Sequence, residues 1–239
     1  MKAIVLAAGR GKRLVSVAGQ TPKCLLRFGD KTLLERIIES LLQNGVEHLV
    51  LVVGYKKELV IDVACRYPVQ LDVVVNPDYA QTNTIASLYL ARHHINDDFL
   101  YFNADVLFDY QIVTDLLARD GNAFAIDEKR CTEEEVKVIV DNNRRIVRIG
   151  KELVPDQCFG EFIGVGKFSR SSTAAVVEAL CKYNEKLNKP DLFFEAAVDD
   201  ILDEHFFLAM PIDPLCAIEI DTPEDYHQAR QIWPKLERS

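Results

Sequence analysis

Residues 4–23 read IVLAAGRGKRLVSVAGQTPK, an apolar run followed by glycines and basic residues. The apolar run predicts a buried strand over residues 2–7, which leads directly into the small residues around Gly9 and Gly11. Small residues at a strand end let the backbone approach a ligand closely, and free N–H groups followed by cations suit a polyphosphate. The first 29 residues hold six basic side chains and no acidic one, although the whole chain has a net charge of -9. This local positive potential predicts an anion-binding site at the glycines.

The bulk composition limits the class of protein. With 239 residues, 49% of them hydrophobic, the chain is long enough to bury a sizeable core. Its acidic balance argues against a nucleic-acid or an anionic-membrane partner. The apolar runs are strand-sized and the first residues show no charged-then-apolar leader, so we expect a cytoplasmic protein without a transmembrane helix. The six cysteines are widely spaced, which favours free thiols over disulfides or a zinc site.

Strand-like and helix-like patterns alternate along the first half of the chain. Continuous apolar strands separated by helices predict an α/β protein, with a three-layer α/β/α arrangement around a Rossmann-like, mostly parallel sheet. We expect one domain over residues 1–239, with a nucleotide-binding half at 1–127 and a small acceptor-binding β/α lobe at 128–239. Strands are predicted at 2–7, 46–53, 71–75, 99–102, 123–126 and 162–168, a hairpin around 141–143, and helices at 32–44, 57–66, 84–94, 110–119, 171–184 and 193–203.

The glycine-rich opening resembles the signature of nucleotidyltransferases that activate small phosphorylated acceptors with a nucleoside triphosphate. That signature is L-x-x-G-x-G-x-R followed by P-K, and it is matched by Leu6, Gly9, Gly11, Arg13, Pro22 and Lys23. A dinucleotide-binding loop would need a third glycine, and a P-loop would need G-K-[ST] opening a helix. The alternative without a binding role is a glycine-rich turn whose cations are solvated.

The resemblance implies roles for these residues. Arg13 and Lys23 are the implied catalytic residues, Arg13 at the β- and γ-phosphates and Lys23 at the α-phosphate and the attacking oxygen. In an in-line displacement, negative charge accumulates at both places. The backbone that is expected to line the base and the phosphates comprises Leu6, Ala7, Ala8, Gly9, Arg10 and Gly11.

Two carboxylates are candidate metal ligands. Asp105 follows the apolar run at 99–102, and Asp221 lies between an apolar run and the helix start Thr222-Pro223. Acids at two strand ends suit a Mg²⁺ ion that also takes phosphate oxygens, and the resembled family carries an Asp at both positions. The alternatives are a turn aspartate for Asp105 and a helix-capping role for Asp221.

The segment N-P-D-Y-A-Q-T-N-T-I-A-S-L at 76–88 narrows the resemblance to cytidylyltransferases that act on phosphocholine, 2-aminoethylphosphonate or inositol 1-phosphate. Gln81, Asn83 and Ser87 are the candidates for reading the pyrimidine edge and the ribose. An ordinary turn with a helix cap by Thr82 or Thr84 is the alternative.

Four side chains are candidate acceptor ligands by the same resemblance. Lys137 and Lys151 are expected to approach the acceptor phosphate, and Glu161 and Glu195 to face a cationic amine. A solvent-facing position is the alternative for Lys137. A rim charge or a helix-face acid is the alternative for Glu161 and Glu195, and for Glu195 this alternative is slightly favoured. Tyr183, Phe193, Phe194 and Trp233 are candidates for a cation–π box, although core packing is favoured for them.

Together these features predict a Mg²⁺-dependent enzyme that transfers CMP from CTP to a small phosphorylated or phosphonylated amino alcohol and releases pyrophosphate. One alternative is a sugar-1-phosphate or inositol-1-phosphate nucleotidyltransferase that uses CTP, UTP or dTTP. A second alternative is a non-catalytic nucleotide-sensing domain.

Overall fold

The computed structural model describes residues 1–236, apart from the side chains of residues 15 and 18. The strands are β1 Lys2–Ala7, β2 Arg27–Phe28, β3 Lys31–Thr32, β4 His48–Val53, β5 Gln70–Val75, β6 Phe99–Asn103, β7 Val106–Phe108, β8 Asn122–Asp127, β9 Lys137–Val140, β10 Ile146–Gly150, β11 Gly160–Phe168, β12 Phe207–Pro211 and β13 Ala217–Glu219. The helices are α1 Val15–Ala18, α2 Leu33–Gln43, α3 Lys57–Ala64, α4 Thr84–Leu90, α5 Gln111–Leu117, α6 Arg170–Cys181, α7 Glu195–Asp199 and α8 Pro223–Leu236.

Nine strands form the central sheet, in the order β10-β9-β11-β6-β1-β4-β5, with β8 beside β11 and β12 beside β8. The strands of the first half, β6, β1, β4 and β5, are parallel. β11 is antiparallel to β6 and connects the second half to them. The strands of the second half therefore extend the same sheet.

Alternate residues of β1 contribute to two hydrophobic clusters, one on each face of the sheet. Ala3 and Val5 pack on the face covered by α2, α3 and α5, and Ile4 and Leu6 pack on the face covered by α4, α6 and α7. Both faces are buried, which explains why the strand reads as an unbroken apolar run. The predicted three-layer α/β fold is confirmed.

Several elements differ from the sequence-based expectation at their ends. The helix predicted over 84–94 ends at Leu90 and is followed by a 3₁₀ turn at Arg92–His94. The helix predicted over 193–203 is the short α7, and a turn follows it. The antiparallel pair β7–β13 was not predicted, and its strands are only three residues long. Short strands give too little periodicity to recognise in a sequence.

The carboxyl ends of the parallel strands converge on one edge of the sheet. The turn after β1 and the turn after β6 are adjacent there, because the backbone N–H of Ala104 donates to the carbonyl of Leu6 at 3.1 Å. Ligands of open α/β sheets bind outside this edge. No helix in residues 1–236 is long and apolar enough to span a membrane.

Candidate active site

The glycine turn begins where β1 ends and forms one wall of a cavity. Gly11 has a φ of +65°, and a Cβ at this position would lie 2.6 Å from Cγ of Lys23. Gly54, which follows the neighbouring strand β4, leaves room for the same turn, because a Cβ there would lie 2.8 Å from the carbonyl oxygen of Ala8. Both positions therefore need glycine, and the side chain of Lys23 lies directly against the turn.

The cavity has a volume of about 490 Å³ and opens at the carboxyl edge of the sheet. It brings together most of the site residues that the sequence predicted. Those that line it are Leu6, Ala7, Ala8, Gly9, Arg10, Gly11, Arg13, Lys23, Asn83, Ser87, Asp105, Lys151, Glu195 and Asp221. Gln81, Lys137 and Glu161 do not line it.

Two cations and two acids that line this cavity form a charged centre. The ammonium nitrogen of Lys23 lies 3.0 Å from Oδ2 of Asp105 and also donates to Oδ1 of Asp221. Nη2 of Arg13 donates to the other oxygen of Asp221 at 2.5 Å. Burial by itself lowers the pKa of Lys23, but the charges of Asp105 and Asp221 outweigh it and raise that pKa well above its usual range. Lys23 is therefore a fixed positive charge.

Glu219 is an acidic residue of this centre that the sequence analysis missed. It ends β13, where it is paired with Val106 of β7, and the backbone N–H of Ile220 donates to the carbonyl of Asp105 at 3.0 Å. One carboxylate oxygen each from Asp105, Glu219 and Asp221 lie within 4.8 Å of one another. The alternation I-E-I-D places Glu219 and Asp221 on the same side of the strand. This two-residue spacing from a predicted metal ligand is the feature by which the sequence could have indicated Glu219.

The three carboxylates have the chemistry of a site for a hard divalent cation. Burial raises the pKa of Glu219 well above its usual value, and the charges of Asp105 and Asp221 add to this effect. Oxygen-only donors at such spacing suit Mg²⁺, which binds through one or two carboxylates and takes its remaining ligands from water and phosphate. The residues therefore fit the predicted ion.

Comparison with known proteins indicates the same class of enzyme as this geometry. Residues 3–184 match the MobA-like NTP transferase domain. The chain belongs to this family. The prediction of a nucleotidyltransferase is thereby confirmed, and the alternative of a non-catalytic sensing domain receives no support.

Two curated relatives of this nucleotidyltransferase are cytidylyltransferases that align over nearly the whole chain. The choline-phosphate cytidylyltransferase of Streptococcus pneumoniae is 28% identical, over 97% of this chain and 98% of its own length. The CTP:phosphoglutamine cytidylyltransferase of Campylobacter jejuni is 24% identical, over 92% of this chain and 93% of its own length.

Solved structures of cytidylyltransferases superpose on this chain. The structure of the CTP:phosphocholine cytidylyltransferase from S. pneumoniae does so with a TM-score of 0.84 at 26% identity, covering 97% of this chain and 98% of the other. The inositol-1-phosphate CTP transferase of T. maritima superposes with a TM-score of 0.82 at 26% identity, covering 100% of this chain and 96% of the other.

In this nucleotidyltransferase the 76–88 segment forms a side wall of the cavity. Asn76 is buried and donates to the hydroxyls of Thr82 (3.0 Å) and Ser87 (3.1 Å). The carboxamide oxygen of Asn83 accepts from the backbone N–H of Thr84 at 2.8 Å, so Asn83 caps α4, rather than Thr82 or Thr84. Gln81 is exposed and does not line the cavity.

Lys137 and Glu161, two of the four predicted acceptor ligands, have partners elsewhere. Lys137 is fully buried, and its ammonium donates to the carbonyls of Thr132, Glu133 and Glu135 at 3.1, 3.2 and 3.1 Å. Lys137 is therefore not on the cavity wall, where an acceptor ligand was expected, and the solvent-facing alternative is wrong as well. Glu161 pairs with Lys129 at 2.7 Å.

Lys151 and Glu195 are on the cavity wall. Nζ of Lys151 lies 4.4 Å from the ring centroid of Phe193, which also lines the cavity. Glu195 was favoured as an exposed helix acid, yet it is only 2% exposed. The cation–π box does not form: Phe194 packs against Tyr101 in the core, Tyr183 lines a smaller neighbouring cavity, and Trp233 of α8 packs against Phe28.

Proposed function

We propose that this protein is a Mg²⁺-dependent cytidylyltransferase that transfers CMP from CTP to a small phosphorylated or phosphonylated amino alcohol, with release of pyrophosphate. The observation that carries the proposal is the convergence of Lys23, Arg13, Asp105 and Asp221 on the glycine turn, within one cavity. The cavity volume of about 490 Å³ falls in the range of small-molecule sites.

The preference for CTP and for an amino-alcohol acceptor is supported by the relatives. Besides the two cytidylyltransferases that align over nearly the whole chain, the CMP-5'-(3-aminopropyl)phosphonate synthase of Streptomyces rubellomurinus is 35% identical over 120 residues, which are 49% of this chain and 19% of its own length. The acceptors in these names carry a phosphate or phosphonate group together with nitrogen. In this chain, the acidic Glu195 on the cavity wall suits such a group.

The proposed reaction is an in-line displacement at the α-phosphorus. A phosphate or phosphonate oxygen of the acceptor forms the new bond to the α-phosphorus, and the bond to the bridging β-oxygen breaks, so its electron pair leaves with pyrophosphate. The attacking oxygen is already ionised, and no general base is required. Lys23 holds the α-phosphate and the attacking oxygen together, and Arg13 neutralises the departing pyrophosphate.

Asp105, Glu219 and Asp221 would hold the magnesium ion. When bound, Mg²⁺ supplies positive charge to the phosphate oxygens during the displacement. The glycine turn contributes backbone N–H groups, and because Gly9 and Gly11 carry no side chain, the phosphates can approach the backbone closely.

The two halves of the sequence divide the proposed substrates between them. Residues 1–127 supply the glycine turn, Arg13, Lys23, Asn83, Ser87 and Asp105 for the nucleotide. Residues 128–239 supply Lys151 and Glu195 for the acceptor, and Asp221 for the ion. We propose that these are functional halves of a single domain, because their strands share one sheet.

A screen of pyrophosphate release tests the proposal. The four nucleoside triphosphates are each combined with phosphocholine, 2-aminoethylphosphonate, inositol 1-phosphate and glucose 1-phosphate, with MgCl₂ or with EDTA. We expect release only with Mg²⁺ and at the highest rate with CTP and an amine acceptor. Lys23→Ala should lose this activity, whereas Lys186→Ala, a change at an exposed lysine outside the cavity, should keep it.

The same screen tests the alternative acceptor. The fit to the T. maritima inositol-1-phosphate CTP transferase favours inositol 1-phosphate as the second candidate. Turnover of inositol 1-phosphate with no turnover of either amine would overturn the amino-alcohol assignment and leave the nucleotidyltransferase assignment intact.

A further inference from the structure

Glu195 is an acid buried in the wall of the cavity without a counter-charge. It is the first residue of α7, and it lines both the main cavity and a smaller adjoining one of about 180 Å³. Its Oε2 atom is buried and has no hydrogen-bond partner within residues 1–236. No basic side chain of that part of the chain comes within 4.0 Å of its carboxylate. A buried acceptor of this kind normally has a partner.

The nearest cation does not satisfy this carboxylate. Burial raises the pKa of Glu195 to about 7, although its own backbone N–H and the charge of Lys151 act in the opposite direction. The ammonium of Lys151 faces the ring of Phe193. A donor that enters from the cavity is therefore the partner that would satisfy Oε2.

Each of the four aromatic residues that line the two cavities already has a ring or a cation of the chain against its own ring: Tyr79, Phe162, Tyr183 and Phe193. Phe162 stacks on Phe124 at 4.5 Å between centroids. Phe193 is 37% exposed, but Lys151 already covers one face of its ring. Trimethylammonium groups are recognised by aromatic cages, because they have no N–H to donate.

We propose that Glu195 is a specificity-determining residue, which selects acceptors whose cationic nitrogen carries N–H donors, primary ammonium above all, against quaternary ammonium. This inference rests on the proposed function, since it names the acceptor class of the same site. A primary ammonium can donate to Oε2 and neutralise the carboxylate. A quaternary nitrogen would bury the same carboxylate and leave it without a hydrogen bond.

A series of acceptors that differ only in N-methylation isolates this contact. Phosphoethanolamine, its N-methyl and N,N-dimethyl derivatives and phosphocholine all carry one positive charge, while the number of N–H donors falls from three to none. We expect kcat/KM at saturating CTP and Mg²⁺ to fall along the series. The largest step, about 10- to 100-fold, should come with the loss of the last N–H, because a hydrogen bond between charged groups is worth this much.

Glu195→Gln provides the second arm of the experiment. The amide is isosteric and still accepts an N–H, but it lacks the negative charge, so phosphoethanolamine should lose about tenfold in kcat/KM and phosphocholine much less. The KM for CTP should stay unchanged, which shows that the protein is folded and its nucleotide site intact. Glu178→Gln makes the same change at an exposed acid of α6 outside the cavity, and it should leave the series as in the wild type.

Two results would overturn the inference while the proposed function stands. These are turnover of phosphocholine within about threefold of phosphoethanolamine in the wild type, and a Glu195→Gln protein with an unchanged ratio between the two. A different result would overturn the proposed function itself: no pyrophosphate from any amine of the series, in a protein that releases it with another acceptor.

Discussion

Lys23 and Asp105, which both line the cavity, form an ion pair with Nζ and Oδ2 3.0 Å apart. The same ammonium donates to Asp221, so one cation of the chain lies between two of the three carboxylates that suit a metal ion. Lys23 and a divalent ion therefore compete for the same negative charge when nucleotide is absent.

Lys23→Met should separate turnover from ion binding. The loss of the charge at the α-phosphate should lower kcat by about 10²- to 10³-fold. In the nucleotide-free protein, Mn²⁺ should bind more tightly, because the three carboxylates no longer share their charge with an ammonium. Steady-state kinetics and a Mn²⁺ titration by calorimetry measure the two effects. A variant with near-normal turnover would remove Lys23 from its assigned role.

Asp105→Asn should abolish the Mg²⁺-dependent part of CTP binding. An amide in place of a carboxylate removes a charged ligand and leaves the ammonium of Lys23 with fewer partners. Calorimetric titration with CTP, in MgCl₂ and in EDTA, should give two equal and weak affinities for the variant and two different ones for the wild type. Asp120→Asn, a change at an exposed acid, is the matched control. Tight Mg²⁺-dependent binding by the Asp105 variant would exclude this residue from the ion site.

Burial of Glu195 should make the free energy of unfolding depend on pH. The pKa of this carboxyl rises from 4.5 to about 7 on folding, so the folded state binds the proton more tightly than the unfolded state. The associated stability is fully present below about pH 4.5 and is lost as the pH rises through 7, to a total of about 3 kcal/mol.

Comparison with Glu195→Gln isolates this contribution. In urea unfolding between pH 5 and 8 without substrate, the stability of the variant relative to the wild type should increase steadily with pH. The difference between Glu178→Gln and the wild type should stay flat. A difference that is equally flat for Glu195→Gln would mean that Glu195 is not a buried, unpaired acid.

Lys137→Met should lower stability far more than it changes acceptor binding. The ammonium satisfies three backbone carbonyls of the turn at 132–135, and the methionine would leave these partly buried acceptors without that donor. We expect a loss of about 2–4 kcal/mol in the free energy of unfolding. Lys151→Met should show the reverse pattern, with a raised acceptor KM and little change in stability. A stable Lys137 variant with a raised acceptor KM would restore the acceptor role that the sequence suggested.

The sequence predicted the sheet, and the residues that converge at its edge, where the signals are local. The strand at 2–7, the glycines and Lys23 lie close together along the chain, and the apolar periodicity of β1 reports burial on both faces. Asp105 was singled out because it follows β6 at the carboxyl edge of the parallel strands. Asp221 was singled out because it follows an apolar run, and that run forms β13 of the separate antiparallel pair β7–β13. Glu219 was missed since an acid inside a short apolar run reads as an ordinary strand residue.

The acceptor side was harder to predict because it depends on tertiary packing. Lys137 and Lys151 have similar sequence surroundings, each next to an apolar strand, yet one ammonium binds a turn and the other faces the cavity. Glu195 has the pattern of an exposed helix acid, and only the packing of α7 against the sheet shows that it is buried. Side-chain direction in short elements is set by contacts that sequence periodicity does not record.

The ³¹P NMR spectrum of the protein with CTP, MgCl₂ and 2-aminoethylphosphonate or phosphoethanolamine distinguishes cytidylyl transfer from other reactions of a nucleoside triphosphate. We predict that the three CTP resonances are replaced by pyrophosphate and by a CMP-linked anhydride of the acceptor, and that EDTA or Lys23→Met prevents this. Release of inorganic phosphate from the γ-position, or unchanged CTP while another triphosphate is consumed, would contradict the assignment of cytidylyl transfer to this cavity.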